Sequence, residues 1–425
     1  MLIFYTSLSI LYSKMRSKGK SAVEKVFSRL TSKDARSGDF LWASPDMVYV
    51  HDVLGPMMLD SYRKLGNPPL RYRGRTLFVY DHIFPPKDSA SANNILSMKD
   101  FASLNGVESI PAGEGIEHTL LIERGDIKPG MFVVGSDSHT VTAGANGAFG
   151  AGLGSTDLAC LLASGETWFM VPETILFRLS GKFNRFVTGK DVILNIISRI
   201  GVDGANYRCM EFRTESGTHL DMDERLAIAN MTVEAGAKTC FLPPDVSQEK
   251  LMEIQSDEDA RISEELSVDL SSIEPEIAAP YSPGNVKRLS DLQGTRVNQV
   301  YIGNCANGTL TDLKEAAEIL KHNHVGKDVT MIVVPATRSI YSKALDLGLI
   351  KIFLDSGAVV SPPTCGACAG LHMGVLGHDQ VCISNTNRNF RGRMGDPTSK
   401  VYLANSYVAA AAAVEGKIVN PLEVF

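Results

Sequence analysis

Little in this sequence suits a membrane. The apolar start, residues 1–12 (MLIFYTSLSILY), falls short of the about 20 residues that cross a bilayer. The basic residues Lys14, Arg16, Lys18 and Lys20 follow that stretch instead of preceding it, and no small-residue cleavage site comes after. Both features exclude a secretory signal. Residues 1–23 contain no acid, as in transit peptides, and Met15 offers a later start. We read residues 1–20 as an N-terminal extension outside the fold of a cytoplasmic protein. Positive charge is not in surplus either: 42 Lys and Arg stand against 48 Asp and Glu, for a net charge of −6. That balance excludes nucleic acid as the main partner. Seven cysteines in 425 residues are too few for a disulfide scaffold and indicate a reducing compartment. Any paired cysteine spacing then points to metal or redox chemistry. The glycine-rich stretch 144–154 (GANGAFGAGLG) fits neither G-x-G-x-x-G nor G-x-x-x-x-G-K-[ST], so no dinucleotide or nucleoside triphosphate site is expected. Low-complexity tracts and internal repeats are also missing.

What is present is ordinary for a soluble globular chain: 44% hydrophobic and 21% charged residues. At roughly 150 residues per domain, about three domains are expected. A helix is expected over 22–30. Short β-branched and aromatic runs at 47–50, 76–80 and 131–134 lead straight into His51-Asp52, Asp81-His82 and Ser136-Asp137-Ser138-His139. These read as buried strands with polar groups at their carboxyl ends, the usual site position in an open α/β sheet. The glycine-rich stretch reads as the lead into a helix capped by Ser155, Thr156 or Asp157. A second block runs from a strand at 175–179 through a helix at 190–200. It closes in the acidic stretch 256–276, read as an exposed linker. A third block repeats the strand–loop–helix rhythm from 297 onward and ends in a helix over 404–414 with Gly416 as C-cap. The expected class is α/β, with domains at 21–173, 174–290 and 291–425.

Cys365-Gly366-Ala367-Cys368 is a C-x-x-C with three readings: a redox dithiol, half of a zinc site with His372 or His378, or part of an iron–sulfur site. Cys305 follows a strand in a loop of glycines and asparagines, where a further ligand is expected. Three thiolates would leave one iron of a four-iron cluster open for Lewis-acid chemistry. Asp81-His82, His118 and Asp137-Ser138-His139 are acid–base candidates, because a carboxylate beside an imidazole sets its tautomer and raises its pKa. Each also reads as a hydrogen-bonded core histidine. Asn230 and Glu234 are spaced to share one helix face. Residues 387–393 (NRNFRGR) hold three arginines around one glycine, a natural carboxylate clamp.

Together these segments resemble the aconitase superfamily, and within it the free-standing large subunits of the isopropylmalate dehydratase and homoaconitase type. The resemblance runs from about His51 to the C-terminus. It rests on VVGSDSHTVTAGANGAFGAGLGSTD (133–157), YIGNCANGTL (301–310), SPPTCGACAG (361–370) and SNTNRNFRGRMGD (384–396). It implies three α/β/α domains around a central cleft, with the fourth, swivelling domain absent. A 4Fe–4S cluster with one open iron would be held by Cys305, Cys365 and Cys368. The implied catalytic set is Asp81, His82, His118, Asp137, His139 and Glu234. His51, Ser138, Asn230, Arg388 and Arg393 would bind substrate, and Asn307 and Asn387 would line the cluster. The implied reaction dehydrates and rehydrates a 2-hydroxy di- or tricarboxylic acid, in first place isopropylmalate on the way to leucine. Homoaconitate, dimethylmalate and citramalate are the alternatives. A small subunit would supply a serine base and a substrate arginine. The family usually has threonine where Ala306 stands, so one hydroxyl near the cluster is lost. The competing expectations are a non-enzymatic metal-binding protein and, by analogy with an iron-regulated superfamily member, RNA binding.

Overall fold

The structure is a computed structural model that describes residues 19–244 and 246–425. The expected N-terminal extension therefore lies, apart from Gly19 and Lys20, outside the described residues. In chain order the strands are β1 (Phe40–Ala43), β2 (Met47–His51), β3 (Thr76–Val79), β4 (Glu108–Ser109), β5 (Phe132–Gly135), β6 (Phe149–Gly152), β7 (Thr167–Met170), β8 (Thr174–Ser180) and β9 (Cys209–Thr214). They continue with β10 (Thr239–Phe241), β11 (Glu264–Asp269), β12 (Glu276–Ala278), β13 (Val286–Arg288), β14 (Gln299–Gly303), β15 (Thr330–Val334), β16 (Val359–Val360), β17 (Val381–Ser384) and β18 (Lys400–Leu403).

Three sheets organise the chain. The first runs β4-β3-β2-β5-β6 and is parallel throughout. The second, β10-β9-β8-β11, is also parallel. The third runs β13-β12-β18-β17-β14-β15-β16; its five strands from β18 to β16 are parallel, with β12 and β13 added antiparallel. β2, β3, β5 and β14 are buried at every position, as strands covered by helices on both faces must be. Each sheet reverses its winding direction once. The reversal lies between β2 and β5 in the first sheet, and between β14 and β17 in the third. In an open α/β sheet such a switch point, at the carboxyl ends, leaves a crevice for ligands.

Helix starts follow local chemistry. Ser21 and Glu24 box the helix Ala22–Thr31, Thr188 and Asp191 the helix Gly189–Ile200, and Thr309 and Asp312 the helix Leu310–Leu320. The last helix, Ser406–Glu415, starts on Asn405 and ends on Gly416 in the left-handed conformation, as expected. Its five alanines, Ala409 to Ala413, are completely buried and let it approach the helix Leu310–Leu320 closely.

Several expectations are corrected. The acidic stretch 256–276 holds β11, which pairs in register with β8, so its charges lie along an edge strand of the second sheet. β12 and β13 fall before position 290, yet they belong to the third sheet. The glycine-rich stretch contributes β6. A Cβ on Gly150 would stand 2.0 Å from the Thr140 carbonyl oxygen, and one on Gly152 2.4 Å from that of Asp137. These glycines let β6 lie directly under the Asp137 turn. The helix Ser155–Ser164 then begins at Gly154 with no side-chain cap. Beside the first sheet, β1 and β7 form an antiparallel ribbon whose register sets Phe40 opposite Met170 and Trp42 opposite Trp168. Phe40, Trp42 and Trp168 are all exposed.

Candidate active site

The carboxyl ends of the first and third sheets face one cleft of about 260 Å³. Its walls include His51, His82, His118, Asp137, His139, Cys305, Cys365, Cys368, Asn387, Arg388 and Arg393. A larger cleft, about 1070 Å³, opens at the amino ends of the strands of the first sheet, but no histidine or cysteine lines it. Its Arg29 and Lys250 are spent on Asp46 and Glu253.

β2 delivers His51. Its backbone N–H donates to Ser136 Oγ (2.9 Å), and Nδ1 accepts the Val53 N–H (3.1 Å). The imidazole proton must then sit on Nε2, which has no partner among the described residues. Burial, followed by the charge of His82, drives His51 down to about 3, so the ring is neutral. It stacks on His82 with centroids 4.0 Å apart. The turn after β3 delivers Asp81 and His82. Asp81 Oδ1 meets His82 Nδ1 at 2.7 Å, and Oδ2 accepts the Glu117 N–H at 2.7 Å. Asp52 accepts the N–H groups of His82 and Ile83, both at 2.9 Å, and so fixes this turn. Burial alone would discharge His82. Asp81, Cys365 and Asp137 outweigh it and hold the imidazole well above its ordinary pKa. His82 is thus a buried imidazolium whose Nε2 faces Asp137 Oδ2 at 3.7 Å.

Asp137 is the hub of the next turn. Its Oδ1 accepts the His139 N–H (2.7 Å), and lies 3.0 Å from His139 Nδ1 and 3.3 Å from His118 Nε2. Burial pushes its carboxyl up, but His118, His139 and His82 together pull it well below the usual range. Tyr49 Oη sits 3.0 Å from His118 Nδ1 and holds that ring from behind. His139 Nε2 reaches Glu234 Oε1 (3.0 Å). Arg388 Nε donates to the same Glu234 oxygen (2.7 Å), and its Nη2 donates to Ser138 Oγ (2.9 Å).

The cysteines come from the third sheet. Cys305 follows β14 through a turn in which Asn304 adopts a positive φ of 114°. The Asn304 side chain holds that turn by accepting the N–H groups of Ala306 (2.8 Å) and Asn307 (3.1 Å). Its Nδ2 lies 3.4 Å from Cys368 Sγ. Asn230 Nδ2 lies 3.1 Å from Cys305 Sγ, and Asn387 reaches both Cys305 (3.7 Å) and Cys368 (3.5 Å). Asn387 also donates to Asn230 Oδ1 (2.9 Å). The Cys365 N–H and the Thr364 hydroxyl both donate to the Asp81 carbonyl (2.8 and 3.1 Å), which joins the cysteine loop to the acid–base pair. All three thiols are free and buried. Cys365 hydrogen-bonds Cys368 and, with Arg393, holds it well below its ordinary value; burial pushes Cys305 up.

These donors fit a cluster. Three thiols share one cavity, side-chain amides point N–H groups at two of them, and Arg393 adds positive charge beside Cys368. A zinc knuckle does not assemble here: His372 Nε2 contacts Thr364 and the His82 carbonyl, and His378 is exposed and contacts Thr398. Expected Asn307 stands apart from the cleft, as does the third arginine of the 387–393 stretch. Asn307 donates to Asp312 Oδ1 (3.0 Å) at a helix start, and Arg391 lies over Tyr281 on the surface. The helix expected to carry Asn230 and Glu234 together ends at Asn230; Glu234 lies in the following 3-10 turn, and both still reach the site. Asp52 was expected at a strand end, but its hold on the His82 turn was not; Tyr49, Thr364 and Asn304 escaped the sequence reading. Asn304 alone had a local signal, an amide directly after a strand.

Known proteins similar to this chain point to one family. The model of the aconitase family (aconitate hydratase) matches residues 24–253 and 286–416. The 3-isopropylmalate dehydratase large subunit 2 of Rubrobacter xylanophilus is 47% identical over 92% of this chain and 95% of its own length. The 3-isopropylmalate dehydratase large subunit of Picrophilus torridus is 44% identical over 95% and 100%. Among solved structures, the holo-form of aconitase X from Thermococcus kodakaraensis aligns with a TM-score of 0.49 and 14% identity, covering 88% of this chain and 93% of its own. The chain belongs to the aconitase family.

Proposed function

We propose that this chain is the cluster-bearing large subunit of a hydro-lyase that interconverts 2-isopropylmalate and 3-isopropylmalate. The carrying observation is the single cleft that holds Cys305, Cys365 and Cys368 beside the Asp81–His82 pair. In this reading Cys305, Cys365 and Cys368 hold a 4Fe–4S cluster, which supplies a Lewis acid at its open iron when bound. His82, oriented by Asp81 through Nδ1, gives its Nε2 proton to the departing hydroxyl. Asp137 keeps His118 and His139 in place, and His139 passes that order to Glu234. Arg388 and Arg393 clamp the substrate carboxylates, and Ser138 and Glu234 hold Arg388 at the right angle. The neutral Nε2–H of His51 donates to the substrate. Asn230 and Asn387 direct amide N–H groups at Cys305, and Asn307 supports the Cys305 turn from behind.

Val53, Leu54, Ile116 and Leu371 form an apolar wall of the cleft, which suits an alkyl substituent. The names of the relatives favour isopropylmalate over homoaconitate, dimethylmalate or citramalate. The carbon-bound proton needs a further base. We assign it to a serine of a separate small subunit that also brings an arginine, since the relatives carry the name of large subunits. The three sheets are read as three domains, 21–173, 174–290 with β12 and β13 passing to the next, and 291–425. No helix among the described residues is long and apolar enough to cross a membrane, and we assign the protein to the cytoplasm.

The test is anaerobic reconstitution with iron and sulfide, followed by addition of a small subunit and 2-isopropylmalate. About four irons and four sulfides per chain, lost in Cys365→Ala, are expected, with turnover only when both subunits are present. Metal without sulfide would overturn the reading and bring a non-enzymatic metal-binding protein forward.

A further inference from the structure

Lys190 lies outside every motif of the candidate site. It opens the helix Gly189–Ile200 and is completely buried. Its Nζ donates to the carbonyl oxygens of Asn385 (2.9 Å) and Thr386, and lies 3.1 Å from Met231 Sδ. Among the described residues it has no carboxylate within ion-pair distance. Burying an ammonium without a counter-ion is costly, so a chain that does so needs the contacts it makes.

Those contacts have a common direction. Asn385 and Thr386 directly precede Asn387 and Arg388. Met231 directly follows Asn230 and opens the turn that carries Glu234. One ammonium therefore touches both segments that supply Asn230, Glu234, Asn387 and Arg388. The first two residues come from the segment behind the second sheet and the last two from the loop after β17, so Lys190 bridges two domains at their shared wall. Asn385 extends the hold: its Oδ1 accepts the Gly303 N–H (2.8 Å), and its Nδ2 donates to the Asn307 carbonyl (2.7 Å). The loop fixed by Lys190 thus also fixes the turn around Cys305. Burial pulls Lys190 down to about 8, with Asp312 and Cys368 opposing, so the ammonium persists at neutral pH.

We propose that Lys190 is a positioning residue that clamps the 385–388 loop to the 230–234 segment and so sets the amide cover over Cys305 and Cys368. The proposal rests on the reading above for the meaning of those cysteines, but its test does not need the cluster. The full chain, reduced and free of iron, is treated anaerobically with iodoacetamide, and alkylation of each cysteine is followed by peptide mass spectrometry. In Lys190→Met, Cys305 and Cys368 should react about tenfold faster than in the unaltered chain, the worth of one charge-assisted hydrogen bond. Cys365, held by Asp81, and Cys209, buried in the second sheet, should not change.

Unchanged rates at Cys305 and Cys368 would overturn the proposal. So would an equal rise at Cys209, which marks general loosening. Lys190→Gln, which keeps one donor, should give a smaller rise confined to the same two cysteines, and it carries the test if the Met variant does not fold. A chain that shows the selective rise yet takes up no iron and sulfide would sink the hydro-lyase reading and leave the clamp standing.

Discussion

At the scale of single residues, the site works by setting burial against charge. His82 would lose its proton to burial, and its neighbouring carboxylates restore it. The proton-donating form should persist above the ordinary histidine range and be lost as pH rises through the elevated folded value. Asp81→Asn should lower kcat by about a hundredfold and move the alkaline fall in kcat to lower pH, in a pH–rate profile of the reconstituted two-subunit enzyme. An unmoved profile would detach Asp81 from the proton transfer. Arg388→Lys loses the fork between Glu234 and Ser138 and should raise KM for the hydroxy acid by about tenfold, with a smaller change in kcat. The cysteines, the Asp-His pairs and the arginines were legible in the sequence because their chemistry is carried by adjacent or closely spaced residues. Asp52 and Lys190 were not. Asp52 acts 30 positions away on His82, and Lys190 acts 195 positions away on Asn385, through contacts that exist only once the sheets are stacked.

At the scale of elements, the strands were legible from their apolar runs, and their polar ends located the site. The second half of the chain was harder to read. β10, β12 and β13 have three residues each, too few to show an alternation. β11 (EELSVD) is an edge strand whose charged residues resemble a linker. The glycines of β6 were read only as the lead into a helix, because their purpose, close approach to the Asp137 turn, depends on a partner the sequence does not display. The last helix, expected over 404–414, is found at Ser406–Glu415. Its close packing on the helix Leu310–Leu320 makes a sharp prediction. Ala411→Leu should destabilise the chain by about 1–3 kcal/mol through overpacking, read as a lower denaturation midpoint. No loss would show spare room between the two helices.

At the scale of the whole molecule, several buried or half-buried acids tilt stability with pH. Burial raises Glu224 to about 8, Glu276 to about 7, and Asp191 and Asp312 to about 6. Between roughly pH 5 and 8 these acids hold more protons in the native state than in the unfolded chain, so the stability they contribute falls as pH rises through that window; neutral His51 opposes them only at its acid end. Tm should drop across it, and Glu224→Gln should flatten the drop by raising Tm at the alkaline end with little change at the acid end. A Tm that climbs toward pH 8 would contradict this balance. The three parallel-stranded sheets were foreshadowed in the sequence by a rhythm of strands and helices. The meeting of two switch points over one cleft was not, because it depends on how the sheets face each other. The β1–β7 ribbon carries a consequence of another kind. Trp42 and Trp168 are the only tryptophans in the chain, and both stand in water on that ribbon. The protein's intrinsic ultraviolet emission therefore reports on one patch of its surface. The emission should already be red-shifted in the native state, and heating should change its colour little, while circular dichroism records the collapse of the sheets.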